Sequence, residues 1–561
     1  MDNCKESIYS EEYADYIIET GGNVEAIRRK YNPDCIQVID ENFVIIFEKI
    51  VDKGEISFEK YGYGAVPSCY GLLDTTSIES MGVERLRKRP NFDLYGNGVL
   101  IGFVDTGIDY TSALFRNADG SSRIAYIWDQ SLQEGKSPQG IDYGTEYTKE
   151  EITEALKLEN PKMVIPHEDR LYHGTFLAAL AAGNEDKEAE FSGVAPRAEI
   201  MMVKVKEAKR NIRDFYGIKP EVPCYQENDI MMGIRYLWEK AAILRKPVVI
   251  CIGMGSNSGS HSGASTLGEM INQLGSLSGI CIVVAAGNET NLGHHYAGTM
   301  ENQEEQIVEM DIHEEDGMTL ELWTKAPGSL AVGISTPDGE FSGRIPIRSF
   351  EQRIDFVFEP TRVFVHHERI EYYSGEEVIT MRFQNLTNGV WKITVFSLEE
   401  GNRDYNIWMP MRNFVNENTT FLTPSPDTIV TNPGNAFEVI TFGAYNHRNN
   451  SIYLNSSRGF TSNNNIKPDL VAPGVDVYGP VSALRFGERS GTSVAAANGA
   501  GVAALMLEWG IVKENRADMN SLIIKYYFIK GARKEQIVVP NRSFGYGILD
   551  LYETFYNLRF T

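Results

Sequence analysis

VLIGFVDTG, residues 99–107, is an apolar run that closes on an aspartate, a threonine and a glycine. A strand wetted on one face would alternate polar and apolar residues; this one does not, so it reads as buried on both faces and ending in a turn. The same texture recurs outward from it. HGTFLAALAAG (173–183) predicts an apolar helix closed by Gly183, and Asp229 is placed to cap the helix IMMGIRYLWEKAAIL (230–244). PVVICIGMG (247–255) and GICIVVAAGN (279–288) read as further buried strands, with a helix around 266–275 between them. Buried strands separated by helices form a parallel sheet covered on both faces. The fold class is α/β.

Between about 300 and 435 the pattern changes to short alternating segments with turn signals between them, among them GMTLELWTK (317–325), TRVFVHHERIEYY (361–373) and GVWKITVFSL (389–398). That is the signature of an antiparallel β-sandwich, with His366 and His367 read as exposed strand residues. The α/β pattern returns at FEVITFGAYN (437–446). An all-β module is therefore expected as an insert at 300–435, splitting an α/β domain into 72–299 and 436–561. Residues 1–71 form a small α+β unit of their own: an acidic helical stretch, then CIQVIDENFVIIFEKI (35–50), which reads as paired strands.

The chain of 561 residues carries 53 Lys and Arg against 77 Asp and Glu, a formal charge of −24. Nucleic acid and anionic lipid surfaces both demand basic patches, so neither is an expected partner. The start, MDNCKESIYSEEYADYIIETGG, lacks the basic and apolar regions of a signal peptide, so synthesis in the cytoplasm is expected. No run of about 18 apolar residues is read, hence no membrane span. Six scattered cysteines without a CxxC pair predict free thiols and no zinc site. The acidic loop NEDKEAE (184–190) lacks the ordered alternation of calcium ligands. It reads as solvated, so no metal and no cofactor are expected.

Hydrolysis of an amide by a hydroxyl nucleophile needs a base in reach, a carboxylate that fixes the base's tautomer, and donors for the oxyanion. One candidate for each stands in a distinctive setting. Asp105 lies at the carboxyl end of the buried strand, the edge where sites gather in open α/β sheets; alone, it is an ordinary turn aspartate. His173 opens the apolar helix, with Gly174 and Thr175 small enough for close approach, and a near-neutral imidazole suits proton transfer; alone, it is a histidine ahead of a helix. Ser493, in GERSGTSVAAANGAGVAALML (487–507), sits at a buried helix N-terminus, where the helix dipole and its own N–H favour an oxyanion, although serine is also a common N-cap. Asn288 ends VVAAGN (283–288) and offers a side-chain amide as the second donor, or simply a tight turn after Gly287. The four fall in the order Asp, His, Asn, Ser, and Asp…His…Ser is one of the known triad orders. Jointly they predict a triad of Asp105, His173 and Ser493, with Asn288 and the Ser493 N–H as oxyanion hole.

With VDTGID (104–109), HGT (173–175), AAGN (285–288) and SGTS (490–493), the chain resembles the subtilase family of subtilisin-like serine peptidases. GVAP (193–196), GSNSGS (255–260) and KPDLVAPG (467–474) strengthen the resemblance. It implies a parallel seven-stranded sheet between helices and a protein or peptide substrate. That substrate would add as an edge strand along Ile252, Gly253, Met254, Gly255 and Ser256. Family members have Pro-His where this chain has Ala497-Asn498, and Thr-His where it has Thr175-Phe176, departures that bear on rate and specificity. His294 and His295, and Glu289 beside Asn288, stand where they can reach a specificity pocket; Glu289 would suit a basic substrate residue.

GIDYTSALFRNADGSSRIAYIWDQS (107–131), VPNRSFGYGILDLY (539–552), the short N-terminal unit and the β insert are together similar to the clostridial Csp germination proteases. That branch implies a jelly-roll insert that rigidifies the protease. It also implies a propeptide that acts as a folding chaperone and can stay bound after self-cleavage. The implied task is activation of a cortex-lytic zymogen, with the protein incorporated into the spore. Some members have lost triad residues and signal as pseudoproteases; this chain keeps all three. AVPSCYG (65–71) suits an extended end of the propeptide, its proline discouraging helix, so self-cleavage is expected within about two residues of Gly71, around Tyr70, Gly71 and Leu72. Two other readings remain open from sequence: a general subtilase of an anaerobic bacterium, and a propeptide-blocked or catalytically poor scaffold acting as a binding partner.

Overall fold

The computed structural model describes residues 4–558 except 51–55, 57, 59–60, 73–78, 90–91, 302–303, 315, 327–328 and 535–536. Seven strands run parallel in the order Ile124–Asp129, Glu199–Lys204, Leu100–Asp105, Val248–Ile252, Ile280–Ala285, Ile440–Asn446 and Leu470–Pro473. Thr145–Thr148 and Ser451–Ile452 add short antiparallel strands. Every residue of Leu100–Asp105, Val248–Ile252 and Ile280–Ala285 is buried, which is why these segments are apolar throughout.

Helices His173–Ala182 and Thr492–Leu507 pack on each other, and both are buried along their whole length. Their small residues permit the approach: a Cβ at Gly501 would lie 3.0 Å from the Ala181 carbonyl oxygen. Thr492–Val512 has the length and mean hydropathy of a membrane span, although Thr492, Ser493, Asn498 and Glu508 interrupt its apolar residues. It packs inside the α/β core, 89% buried over its most apolar window.

The insert consists of two antiparallel sheets, one of six strands and one of four, drawn from His295–Phe421. Its first strand, His295–Met300, pairs with Arg403–Trp408, so the sheet begins before residue 300. His366 and His367 are buried in it, not exposed, because their strand is covered on both faces. His367 bonds to Glu377 across the neighbouring strand.

In the N-terminal unit, strands Tyr13–Glu19, Phe43–Lys49 and Cys35–Val38 form an antiparallel sheet. The stretch Tyr13–Glu19, read above within a helical segment, is a strand because its apolar residues pair with Phe43–Lys49. Cys4 and Cys35 form a disulfide, their Cα atoms 5.6 Å apart. That corrects the expectation of free thiols; the fold brings the chain start against the Cys35 strand, a proximity no sequence spacing encodes. Cys69, Cys224, Cys251 and Cys281 are free and buried.

Candidate active site

The register of the central sheet sets the site. Val104, Ile252 and Val284 lie side by side, so the strand ends at Asp105, Gly253 and Ala285 reach one edge together. Asp105 is buried, and its Oδ1 lies 2.7 Å from Nδ1 of His173. His173 Nε2 lies 3.3 Å from Ser493 Oγ. An Nδ1–H donated to the carboxylate leaves Nε2 as the acceptor facing the serine hydroxyl, the tautomer a general base requires. The three residues span 388 positions of sequence yet meet because the two buried helices cross at the sheet edge.

Glycines make the approach possible. A Cβ at Gly174 would lie 3.0 Å from Asp105 Oδ1; at Gly253 it would lie 3.1 Å from Asp105 Oδ2 and 3.3 Å from His173 Cε1. Ser493 is the second residue of the 16-residue helix Thr492–Leu507, so its N–H points out of the first turn at the positive end of the dipole. Asn288 Oδ1 accepts from the Thr492 N–H at 3.1 Å, which orients its Nδ2 as a donor. Thr492 Oγ1 in turn accepts from the Gly287 N–H at 3.0 Å. One threonine thus ties both halves of the oxyanion site together.

Supporting residues escaped the sequence reading. Asp169 is buried four residues before His173 and accepts from the Thr106 hydroxyl (2.7 Å), the Thr175 N–H and hydroxyl (2.8 and 2.7 Å) and the Tyr172 N–H (2.9 Å). Burial pushes its carboxyl up despite these donors. Thr106 Oγ1 also accepts from the Gly174 N–H at 3.0 Å, joining the turn after Asp105 to the start of the His173 helix. Beneath that turn, buried His167 lies 2.7 Å from Asp129 through Nδ1 and accepts from the Ile108 N–H at 3.1 Å. Burial raises the Asp129 carboxyl, but the bond to His167 and the Lys204 charge outweigh it and hold the group at about 2. An acid four residues before HGT was the signal the sequence carried.

Of the residues expected to bind substrate, Met254 and Gly255 form an edge strand, pairing antiparallel with Leu72 and Gly71. Ile252 belongs to the buried parallel sheet instead, and Ser256 pairs with Asn432, because the wall turns away on both sides of this short edge. Gly253 faces the triad. The opposite wall, unread from sequence, is Tyr225–Gln226, which pairs with Tyr70 and Cys69. Residues Cys69–Leu72 are therefore the middle strand of a three-stranded sheet, and Leu72 lies opposite Met254, next to Gly253. The chain after Leu72, where the expected cleavage region ends, lies outside the described residues.

Glu289 is buried; its Oε2 accepts from the Arg412 N–H (3.0 Å) and Asn257 Nδ2 (3.3 Å) and lies 3.3 Å from His294 Nδ1, while its Oε1 has no hydrogen-bond partner among the described residues. His295 stacks on Trp408, inside the junction with the insert. Asp229, expected as a cap, lies within the first turn of helix Glu227–Leu244 and pairs with Lys206 at 2.7 Å. Phe176 is buried under Gly479, and Asn498 donates to Pro473 O at 3.0 Å, so both departures from the family pattern are structural contacts. In the acidic loop Asp186 accepts from the N–H groups of Glu188 and Ala189, closing its own turn. Among the described residues no group of three or more His, Cys, Asp or Glu stands where it could hold a metal.

Residues 96–359 and 384–547 match the subtilase family. The chain is similar to a protease of known structure, CspB of Clostridium perfringens, at 32% identity and a TM-score of 0.77, covering 86% of this chain and 97% of that one. It is also similar to the C5a peptidase of Streptococcus pyogenes serotype M3, 21% identical over 441 residues, 73% of this chain and 35% of that one. A subtilisin-like protease of Arabidopsis thaliana is 29% identical over 134 residues, 21% of this chain and 16% of that one. This chain spans about a third of the length of the streptococcal peptidases it matches.

Proposed function

The chain belongs to the subtilase family of subtilisin-like serine endopeptidases, and from that premise we propose that it cuts its own chain just after the strand Cys69–Leu72 and then activates a protein zymogen. The observation that carries this is the position of that strand, held between both cleft walls with Leu72 opposite Met254, the residue after Gly253. An extended peptide paired on both edges is how a protease presents a scissile bond.

In the proposed mechanism Ser493 Oγ attacks the carbonyl carbon as His173 Nε2 takes its proton. Asp105 holds the imidazole in place and balances the imidazolium. Asn288 Nδ2 and the Ser493 N–H stabilise the oxyanion. His173 then gives its proton to the leaving amine, and water attacks the acyl-enzyme by the same route in reverse. After the cut, residues 1–72 fill the cleft until they leave, so retention of this unit governs access of other substrates.

The natural substrate we propose is a zymogen of a cortex-lytic hydrolase in a germinating spore, with the protein made in the cytoplasm and packed into the spore. The likeness to the CspB protease over nearly the whole of both chains supports it. A fluorophosphonate probe tests the activity: it should label Ser493 once the N-terminal unit is displaced and leave Ser493→Ala unlabelled. Absence of labelling on the displaced wild type would favour a scaffold role.

A further inference from the structure

Cys69 lies three residues before Leu72 in the strand that occupies the cleft, and its side chain is buried. Three parts of the chain surround it. The thiol lies against Cys224 at the start of the far wall. Ser256 comes from the near wall, and Trp408, Met409, Met411 and Phe414 come from the insert. Ser256 and these insert residues border, with Cys69, a cavity of about 20 Å³, room for about one water molecule. Nothing larger than a methyl group or two can be added there without moving a wall.

The walls are braced. Trp408 is sandwiched between the rings of His261 and His295, at 4.2 and 5.0 Å, and its Nε1 donates to Thr428 O at 3.2 Å. Glu321 of the insert, which also lines the cavity, accepts from the Gly259 N–H (2.8 Å), Trp323 Nε1 (3.0 Å) and the Tyr63 hydroxyl (2.7 Å). One carboxylate oxygen therefore fixes the insert to the cleft loop and to the N-terminal unit at once. A wall held by aromatic stacking and buried hydrogen bonds yields little to a larger guest.

We infer that the inserted β-domain builds a specificity subsite into the peptide-binding cleft, one that admits a small side chain at the position Cys69 occupies and rejects large ones. This rests on reading Cys69–Leu72 as a substrate-like strand. It gives the insert a part in choosing substrates: a cleavable sequence carries Cys, Ala, Ser or Val at this place, and a bulky residue there is refused by Trp408, Met411 and Phe414.

Self-processing of the full chain, followed by intact mass through a cell-free translation time course, tests it. The rate should fall in the order Cys, Ala, Val, Phe at position 69, with Cys69→Phe slower than Cys69→Ala by roughly 10- to 100-fold. Adding Phe414→Ala or Met411→Ala to Cys69→Phe should restore most of the rate by opening room for the ring. Cys69→Val, a milder change, keeps the comparison readable if the phenyl ring prevents folding. A processed wild type with Cys69→Phe equally fast would overturn the subsite alone, as would a slow Cys69→Phe rescued by neither enlargement. An unprocessed wild type would overturn the substrate-strand reading and the subsite with it.

Discussion

Asp15 of the N-terminal unit is buried against Lys209 of the catalytic domain, its Oδ1 2.5 Å from Nζ. Lys209 also donates to the Ser7 and Tyr13 carbonyls, at 2.8 and 3.3 Å. The other Asp15 oxygen accepts from Gln226 Nε2 and Asn228 Nδ2, both at 3.3 Å. Gln226 is part of the cleft wall, so docking of the N-terminal unit and the shape of the cleft share one buried network. Burial lowers the Lys209 pKa, the Asp15 charge only partly opposing it.

Breaking this pair from one side should release the N-terminal unit. Lys209→Ala or Asp15→Ala leaves an uncompensated buried charge, a loss of about 3–5 kcal/mol. After cleavage the two fragments of either variant should separate on size exclusion where wild-type fragments co-elute. The double variant Asp15→Leu/Lys209→Met should hold its fragments together better than either single, because it removes both desolvated charges.

Asn288→Ala should leave the fold intact and cut kcat by roughly 10²–10³, as loss of the corresponding amide does in subtilisin. KM should change little, since the amide acts on the oxyanion and not on the bound peptide. Steady-state kinetics on a peptide substrate, with a thermal melt as control, checks this. An equal rise in KM would place Asn288 in ground-state binding instead.

Acid should loosen the junction between insert and catalytic domain. Burial holds His261 and His295 at about 4, below the ordinary 6.5 of histidine. Between pH 6.5 and 4 the unfolded chain therefore binds protons that the fold refuses, so stability falls as pH drops through that window and is level above it. Each histidine contributes up to about 3 kcal/mol to the fall. Urea midpoints measured from pH 7.5 to 4 should show it, and His261→Asn should flatten the slope. Asparagine tolerates the left-handed backbone at this position (φ 53°). An unchanged slope in that variant would remove His261 from the account.

What could be read from sequence was whatever chemistry fixes locally. Asp105, His173, Asn288 and Ser493 each sit in a short run whose glycines and apolar residues are dictated by close packing, so the runs announce themselves. The buried strands were legible for the same reason. Contacts made at long range were not. Tyr225–Gln226 carries no motif; it is a cleft wall only because the strand Cys69–Leu72 lies beside it. Cys4 and Cys35 meet through the tertiary fold of the N-terminal unit, and Glu321 acquires two of its three donors, Gly259 and Tyr63, from distant parts of the chain. His366 and His367 looked exposed because alternation marks a strand without saying that both its faces are covered.

The most direct measurement is the intact mass of the purified protein, wild type against Ser493→Ala. Self-cleavage by the triad predicts two wild-type fragments that meet just after Leu72, within about two residues of Gly71, and a single full-length species from Ser493→Ala. One full-length species from both proteins would contradict it.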